Sequence, residues 1–100
     1  MIPVIFHQDA EAELKEAIAY YERQRAGLGI SFQTEVEEAV QLIQQNPRRF
    51  PRHHEFGLRG YQIKRFPYTI FYLELDEAAW IVAVAHQRRR PRYWAHRISM

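Results

Sequence analysis

Apolar positions recur along this chain with two different periods, and the switch between them outlines the fold. Residues 2–7 are β-branched and aromatic and read as a first strand. Ala10, Leu14, Ala17, Ile18 and Tyr21 then fall at i, i+4, i+7, i+8 and i+11, one stripe of a helix with Asp9 as its predicted N-cap. Gly27-Leu28-Gly29 interrupts the stripe. Phe32, Val36, Ala39, Val40 and Ile43 repeat the spacing until Asn46-Pro47 ends it. Two helices of similar length joined by a glycine turn are predicted, each needing a surface to bury its stripe against.

Residues 47–57 form a basic, proline-bearing loop, and the period then changes to that of strands. Residues 58–64 alternate, with Tyr61 and Ile63 on one face. Residues 68–75 and 80–85 are apolar throughout, as central strands buried on both faces are. Asp76-Glu77-Ala78 is short enough to turn a hairpin, and Pro67 belongs at a strand start or on a bulge, where its missing N–H does no harm. Residues 91–98 predict a short C-terminal helix with Pro91 in its first turn. The order is β-α-α-β-β-β. Loops too short for crossovers make the last three strands antiparallel. The predicted fold is an α+β sandwich: a two-helix hairpin on one face of a mainly antiparallel four-stranded sheet. Residues 1–100 read as one domain, long enough for one core, with no repeat or linker.

Composition changes the picture mainly through charge. Residues 1–46 carry eight acids and three bases, whereas residues 47–100 carry four acids and eleven bases, so a net charge of +2 conceals two halves of opposite sign. Such asymmetry points to a polyanionic or acidic partner. No cysteine is present, which excludes disulfides, thiolate zinc sites and thiol nucleophiles and suits a cytoplasmic protein. No apolar run reaches the roughly 20 residues of a membrane helix, and the N-terminus reads as no signal peptide, having neither a basic start nor a cleavage site.

Candidate chemistry gathers at the end of the last strand. His86 has a side chain whose ordinary pKa of roughly 6.5 suits general acid–base work. The plainer role is a structural or surface histidine that hydrogen-bonds a neighbouring carbonyl. Arg88, Arg89, Arg90 and Arg92 carry guanidinium groups that match phosphate and carboxylate oxygens. Lys64 and Arg65 belong to a neighbouring strand end, so Arg65 and Arg88 flank His86 in a predicted cleft able to stabilise charge on a phosphodiester. The plainer role here is a solvated charge run. Arg48, Arg49, Arg52, His53 and His54 form a second basic patch. Adjacent histidines point different ways and have no further ligands at a zinc spacing, so no metal or cofactor is expected. Tyr93 and Trp94 have the rings to stack on bases, although packing against the sheet is the simpler expectation. No glycine-rich phosphate loop, nucleophile elbow or catalytic carboxylate pair is present.

Five ordered motifs together resemble a known family. They are Ala10, Glu13-Leu14, Glu16-Ala17 and Tyr20-Tyr21-Glu22; Gly27-Leu28-Gly29 with Phe32; Asn46-Pro47 with Phe50-Pro51; Arg65-Phe66-Pro67-Tyr68 with Ile70 and Tyr72; and Ala83-Val84-Ala85-His86 with Arg88-Arg89, Pro91 and Tyr93-Trp94. From about residue 4 to about residue 97 the chain is similar to the RelE/ParE superfamily of bacterial type II toxins, most closely the ParE-like, plasmid-stabilisation branch. The resemblance implies a cytoplasmic toxin neutralised by a cognate antitoxin, whose N-terminal domain binds operator DNA. It implies one of two targets. ParE-like members poison DNA gyrase; RelE-like members cut messenger RNA on the ribosome. For a ribonuclease, His86 would move the proton while Arg65, Arg88 and Arg89 hold the phosphate. RelE-like clefts, however, are richer in lysine or place a tyrosine beside the histidine. Here Lys64 is one of two lysines and Tyr93 lies seven residues beyond His86, so the gyrase poison is the favoured implication. An inactive member that only pairs with its antitoxin is the third.

Overall fold

The helical stripes and apolar strands find each other across one sheet. In the computed structural model, which describes residues 1–52 and 57–98, the chain runs β1 (Val4–Phe6), α1 (Gln8–Gln24), α2 (Leu28–Gln45), β2 (Arg59–Gln62), β3 (Tyr68–Glu74) and β4 (Ala79–His86). The strand order is β1-β4-β3-β2. β2–β3 and β3–β4 are antiparallel, whereas β1 lies parallel to β4. The sheet is thus mixed. The two central strands are the two uniformly apolar segments.

Local chemistry sets the boundaries. The N-cap of α1 is His7 rather than Asp9: the His7 Nδ1 accepts from the Asp9 N–H at 3.0 Å, and Asp9 sits inside the first turn. An imidazole nitrogen serves as well as a carboxylate here, because a cap requires only an acceptor within reach of an orphan N–H. Gly27, at φ 88°, turns the chain between the helices in the left-handed region that favours glycine. Glu22 then caps α2 from the preceding helix, accepting from Gly27 N–H at 2.9 Å and Gly29 N–H at 3.0 Å. Gly29 packs against α1 so closely that a Cβ there would lie 2.5 Å from the Ile18 carbonyl oxygen.

On the helix side, Phe32, Val36, Ala39 and Ile43 of α2 and Ala10 and Ala17 of α1 bury against Ile70, Tyr72, Ile81 and Val84. Tyr21, Phe32, Phe66 and Tyr68 form an aromatic knot, with Tyr21–Phe66 and Phe32–Tyr68 centroids both 4.9 Å apart. Each large side chain so buried contributes on the order of 2 kcal/mol. The opposite face of the sheet has its own smaller cluster of Leu58, Val82, Ala83, Ala85 and Trp94, supported by Phe71 and Leu73. The C-terminal segment covers it, and only Ala95–Arg97 of the predicted terminal helix forms, as one 3-10 turn. Arg92 at φ 63° breaks any continuous helix from Pro91.

A register irregularity shifts the phase of β4. Tyr72 pairs with Ile81 and Phe71 with Ala83, leaving Val82 as the extra residue of a β-bulge. Ala79 and Ile81 face the helices before it, and Val84 does so after it. Val82, Ala83 and Ala85 face the other way. Without that extra residue, everything beyond it would swap faces.

Candidate functional site

The bulge decides where His86 goes. It pairs in register with Tyr68 on the helix side, ring edge to ring face at 5.1 Å. Its Nδ1 accepts from the Arg88 N–H at 3.0 Å, which bends the chain off the strand and leaves the proton of the neutral ring on Nε2. His7 makes the same contact two residues ahead with Asp9. Both histidines therefore organise local backbone, but His86 does so by accepting from an N–H rather than by bonding the carbonyl expected of it.

Two clefts open beside His86 on the helix side. One, of about 500 Å³, lies between α1 and β4 and includes Glu13, Glu16, Tyr20, Arg23, Tyr68 and Arg89. The other, of about 690 Å³, includes Tyr20, Tyr21, Pro67, Tyr68 and Arg88. His86 and Arg88 are brought together as predicted. Arg65 is not: its guanidinium is paired with Glu35 of α2 and lines neither cleft. The first cleft also mixes carboxylates with cations, which lowers its pull on an anion.

Arg90, Arg92, Tyr93 and Trp94 line the far side of the same strand end. Trp94 is buried and packs on Phe71 at 5.2 Å between centroids. Arg89 stacks over the Tyr93 ring at 3.9 Å, and the Tyr93 hydroxyl donates to Glu13 Oε2 at 2.6 Å. These two rings hold the C-terminal segment down rather than standing open for bases. Burial first, and the Glu13 carboxylate second, push the Tyr93 phenol well above its usual range.

Glu13 and Arg97 are structural residues: Glu13 stands in the first family motif without a role, and no sequence pattern singles out Arg97. Arg97 donates to both Glu13 oxygens at 2.9 Å and to the Val82 carbonyl at 3.0 Å, while the Val84 N–H donates to Glu13 Oε1 at 3.0 Å. β1 ends opposite Ile81, so β4 continues beyond it with an open edge. The ion pair satisfies backbone groups there that a longer β1 would have taken. Burial is the largest influence and opposes the Arg97 charge, but the Glu13 bonds together with the charges of Glu13, Tyr93 and Asp9 outweigh it and hold its pKa up. One signal was present: Glu13 sits three residues after Ala10 and four before Ala17, on the buried stripe itself.

The second basic patch is divided. Arg48 and the largely buried Arg59 both bind Glu74, near the opposite end of β3 from Tyr68 and His86. The Arg48 bond foremost, and then the Arg48 charge and Arg59, hold the Glu74 carboxyl below its usual range despite some opposing desolvation. Arg59 also donates to the Arg48 and Phe50 carbonyls, and Tyr72 to that of Pro47, fixing the loop on the sheet. Arg49 lies over the Phe50 ring at 5.4 Å. Arg52 reaches the far face with Lys64. The three basic groups thus share the far face only in part, since Arg48 and Arg65 are paired with carboxylates elsewhere. His53 and His54 lie outside the described residues, and among the described residues no group of three or more His, Asp or Glu side chains could hold a metal ion. No helix among them is long and apolar enough to cross a membrane.

A two-helix hairpin on a four-stranded mixed sheet, with arginines and a structural histidine at the exit of its last strand, defines a small α+β protein whose distinctive chemistry lies on its surface. A family model for the ParE toxin of the type II toxin–antitoxin system parDE matches residues 4–91. The chain belongs to the ParE toxin family and is a ParE-like toxin of the type II class. A chain in the solved structure "Chromosomal ParDE TA system from P. aeruginosa" superposes with a TM-score of 0.76 at 17% identity, over 86% of this chain and 96% of that one, a likeness of fold. No curated protein matches.

Proposed function

We propose that this toxin acts in the cytoplasm as a single domain on DNA gyrase, and that a cognate antitoxin neutralises it by covering its exposed surfaces. Membership of the ParE family supports the antitoxin partner directly. One observation carries the choice of gyrase over message cleavage. A nuclease needs its proton-transferring group and phosphate-holding cations aimed at one point. Here Arg65 is committed to Glu35 and lines neither cleft beside His86, and the cleft that joins His86 to Arg89 also holds Glu13 and Glu16. The exposed Arg88, Arg89 and Arg90 form the target-facing surface, with Arg92 beside them.

Purified toxin should inhibit supercoiling by gyrase and accumulate cleaved DNA, and His86→Ala should retain much of that effect if the protein stays folded. Ribosome-dependent cleavage of message that His86→Ala abolishes, with gyrase unaffected at large toxin excess, would replace this reading with the ribonuclease one. Absence of growth arrest on induction without antitoxin would leave only the antitoxin-binding role.

A further inference from the structure

The far face of the sheet carries cations without carboxylates, whereas the cleft between α1 and β4 mixes the two. A hollow of about 460 Å³ over β2 and β3 meets another of about 300 Å³ over β3 and β4, and they share Thr69 and Phe71. Together they make one trough across three strands. Its floor is the register row Gln62–Thr69–Ala85 and the adjoining Gly60 and Phe71. Arg52 and Lys64 stand at one end, and Arg89, Arg90 and Arg92 at the other. Among the described residues its lining contains five cations and no Asp or Glu, whereas the cleft between α1 and β4 has Glu13 and Glu16 and the one beside Pro67 has Arg88 alone. An anion is therefore drawn to the far face.

We propose that this trough binds the sugar-phosphate backbone of one nucleic-acid strand, without selecting its bases. Charge complementarity sets the class of ligand: guanidinium groups at both ends match phosphate oxygens. The span from β2 to β4 is two strand spacings, about 10 Å, which seats a single strand rather than a duplex. The floor argues for nucleic acid over an acidic peptide. Gln62, Thr69 and Gln87 offer acceptors as well as donors, which base edges use and a run of carboxylates does not. The half-buried Phe50 and Phe71 add ring surface. Because those amide and hydroxyl groups both donate and accept, every base can satisfy them, so affinity comes from the phosphates and falls steeply with salt. The assignment goes beyond the gyrase reading and stands without it.

The test is fluorescence anisotropy of a labelled mixed-sequence 12-nucleotide DNA strand with the full-length chain between about 50 and 200 mM salt. Arg52→Gln/Arg90→Gln removes one cation from each end, and both side chains are exposed. The double variant should lower affinity at least tenfold at low salt and flatten the log–log salt slope by about 1.4, some 0.7 for each lost phosphate contact. Arg25→Gln, an equal charge loss at the exposed end of α1, should leave the slope unchanged. RNA and DNA strands of one sequence should compete equally, since only their shared phosphates are held. Three results would overturn the proposal: no binding at low salt, equal binding by the double variant, or displacement by a 12-residue polyglutamate at or below the concentration needed with unlabelled strand. Tighter binding of duplex than of single strand would contradict the width argument. Strand binding is read without gyrase, so a toxin that binds the strand but spares gyrase sinks the functional reading and not this one.

Discussion

Glu13 shows what one side chain can hold together. It accepts from Arg97, Tyr93 and the Val84 N–H, and so joins α1, the open edge of β4 and the C-terminal segment. The Arg97 and Glu13 side chains are only 7% and 14% exposed. Removing one member of a buried pair strands the other, which costs about 3–5 kcal/mol. Arg97→Ala should therefore lower unfolding free energy by about 3 kcal/mol in a denaturant titration, and Tyr93→Phe by about 1.5 kcal/mol for one bond to a charged acceptor. The phenols give a second check. Burial pushes Tyr72 up to about 12, and Tyr93 is raised as well. A raised phenol contributes stability that is whole below about pH 10, its unfolded value, and disappears as pH climbs through its folded one. In an absorbance titration of the six tyrosines, Tyr72 and Tyr93 should therefore ionise last, together with alkaline unfolding. At this scale the sequence was least readable. Asp9 looked like the cap and His7 did not, because capping depends on where an acceptor points. Arg65 looked available because nothing in the residues between it and Glu35 showed that α2 would bring a carboxylate to it.

Among the elements, both helices, the hairpin and the two central strands were legible, since each carries a long periodic or uniformly apolar signal. The terminal helix was not, because Arg92 at positive φ divides it and the burial of Trp94 dictates the path instead. The bulge at Val82 was hidden for a different reason. Residues 80–85 are apolar on both faces, so no alternation exists to reveal a change of phase, yet that change puts His86 beside Tyr68. The junction between the helices gives a sharp test. Gly29→Ala improves helix propensity by up to about 1 kcal/mol. The new Cβ, however, would meet the Ile18 carbonyl at 2.5 Å, and that backbone oxygen cannot swing aside. Overpacking of this kind costs about 1–3 kcal/mol, so the clash should win and the thermal midpoint should fall. A rise in midpoint would show that the helices separate at little cost.

Over the whole molecule, the opposed charges of the two halves predicted a basic working surface, and the fold refines it. Part of the positive charge is spent internally, Arg48 and Arg59 on Glu74, Arg65 on Glu35 and Arg97 on Glu13. Much of the rest lies at the exit of β4, in Arg88, Arg89 and Arg90, and at the edge of the far face, in Arg52 and Lys64. The internal pairs leave their mark on acid stability. Because the Glu74 carboxyl is held below its usual range, its contribution is complete above the ordinary glutamate pKa of roughly 4.3 and is lost as pH falls through the lower folded value. Glu74→Gln should flatten the acid limb of a denaturation-midpoint profile below about pH 4.5, and added salt should weaken the exposed Arg48 contact first. On the proposed function, this toxin's surface poisons gyrase while His86 shapes the chain rather than the chemistry. A gyrase supercoiling and DNA-cleavage assay of the native toxin, His86→Ala and Arg88→Gln/Arg89→Gln decides the matter. Inhibition with trapped cleaved DNA is expected for the native chain, largely kept by His86→Ala and lost with the paired arginines. Gyrase that supercoils normally at large excess of folded toxin would contradict it.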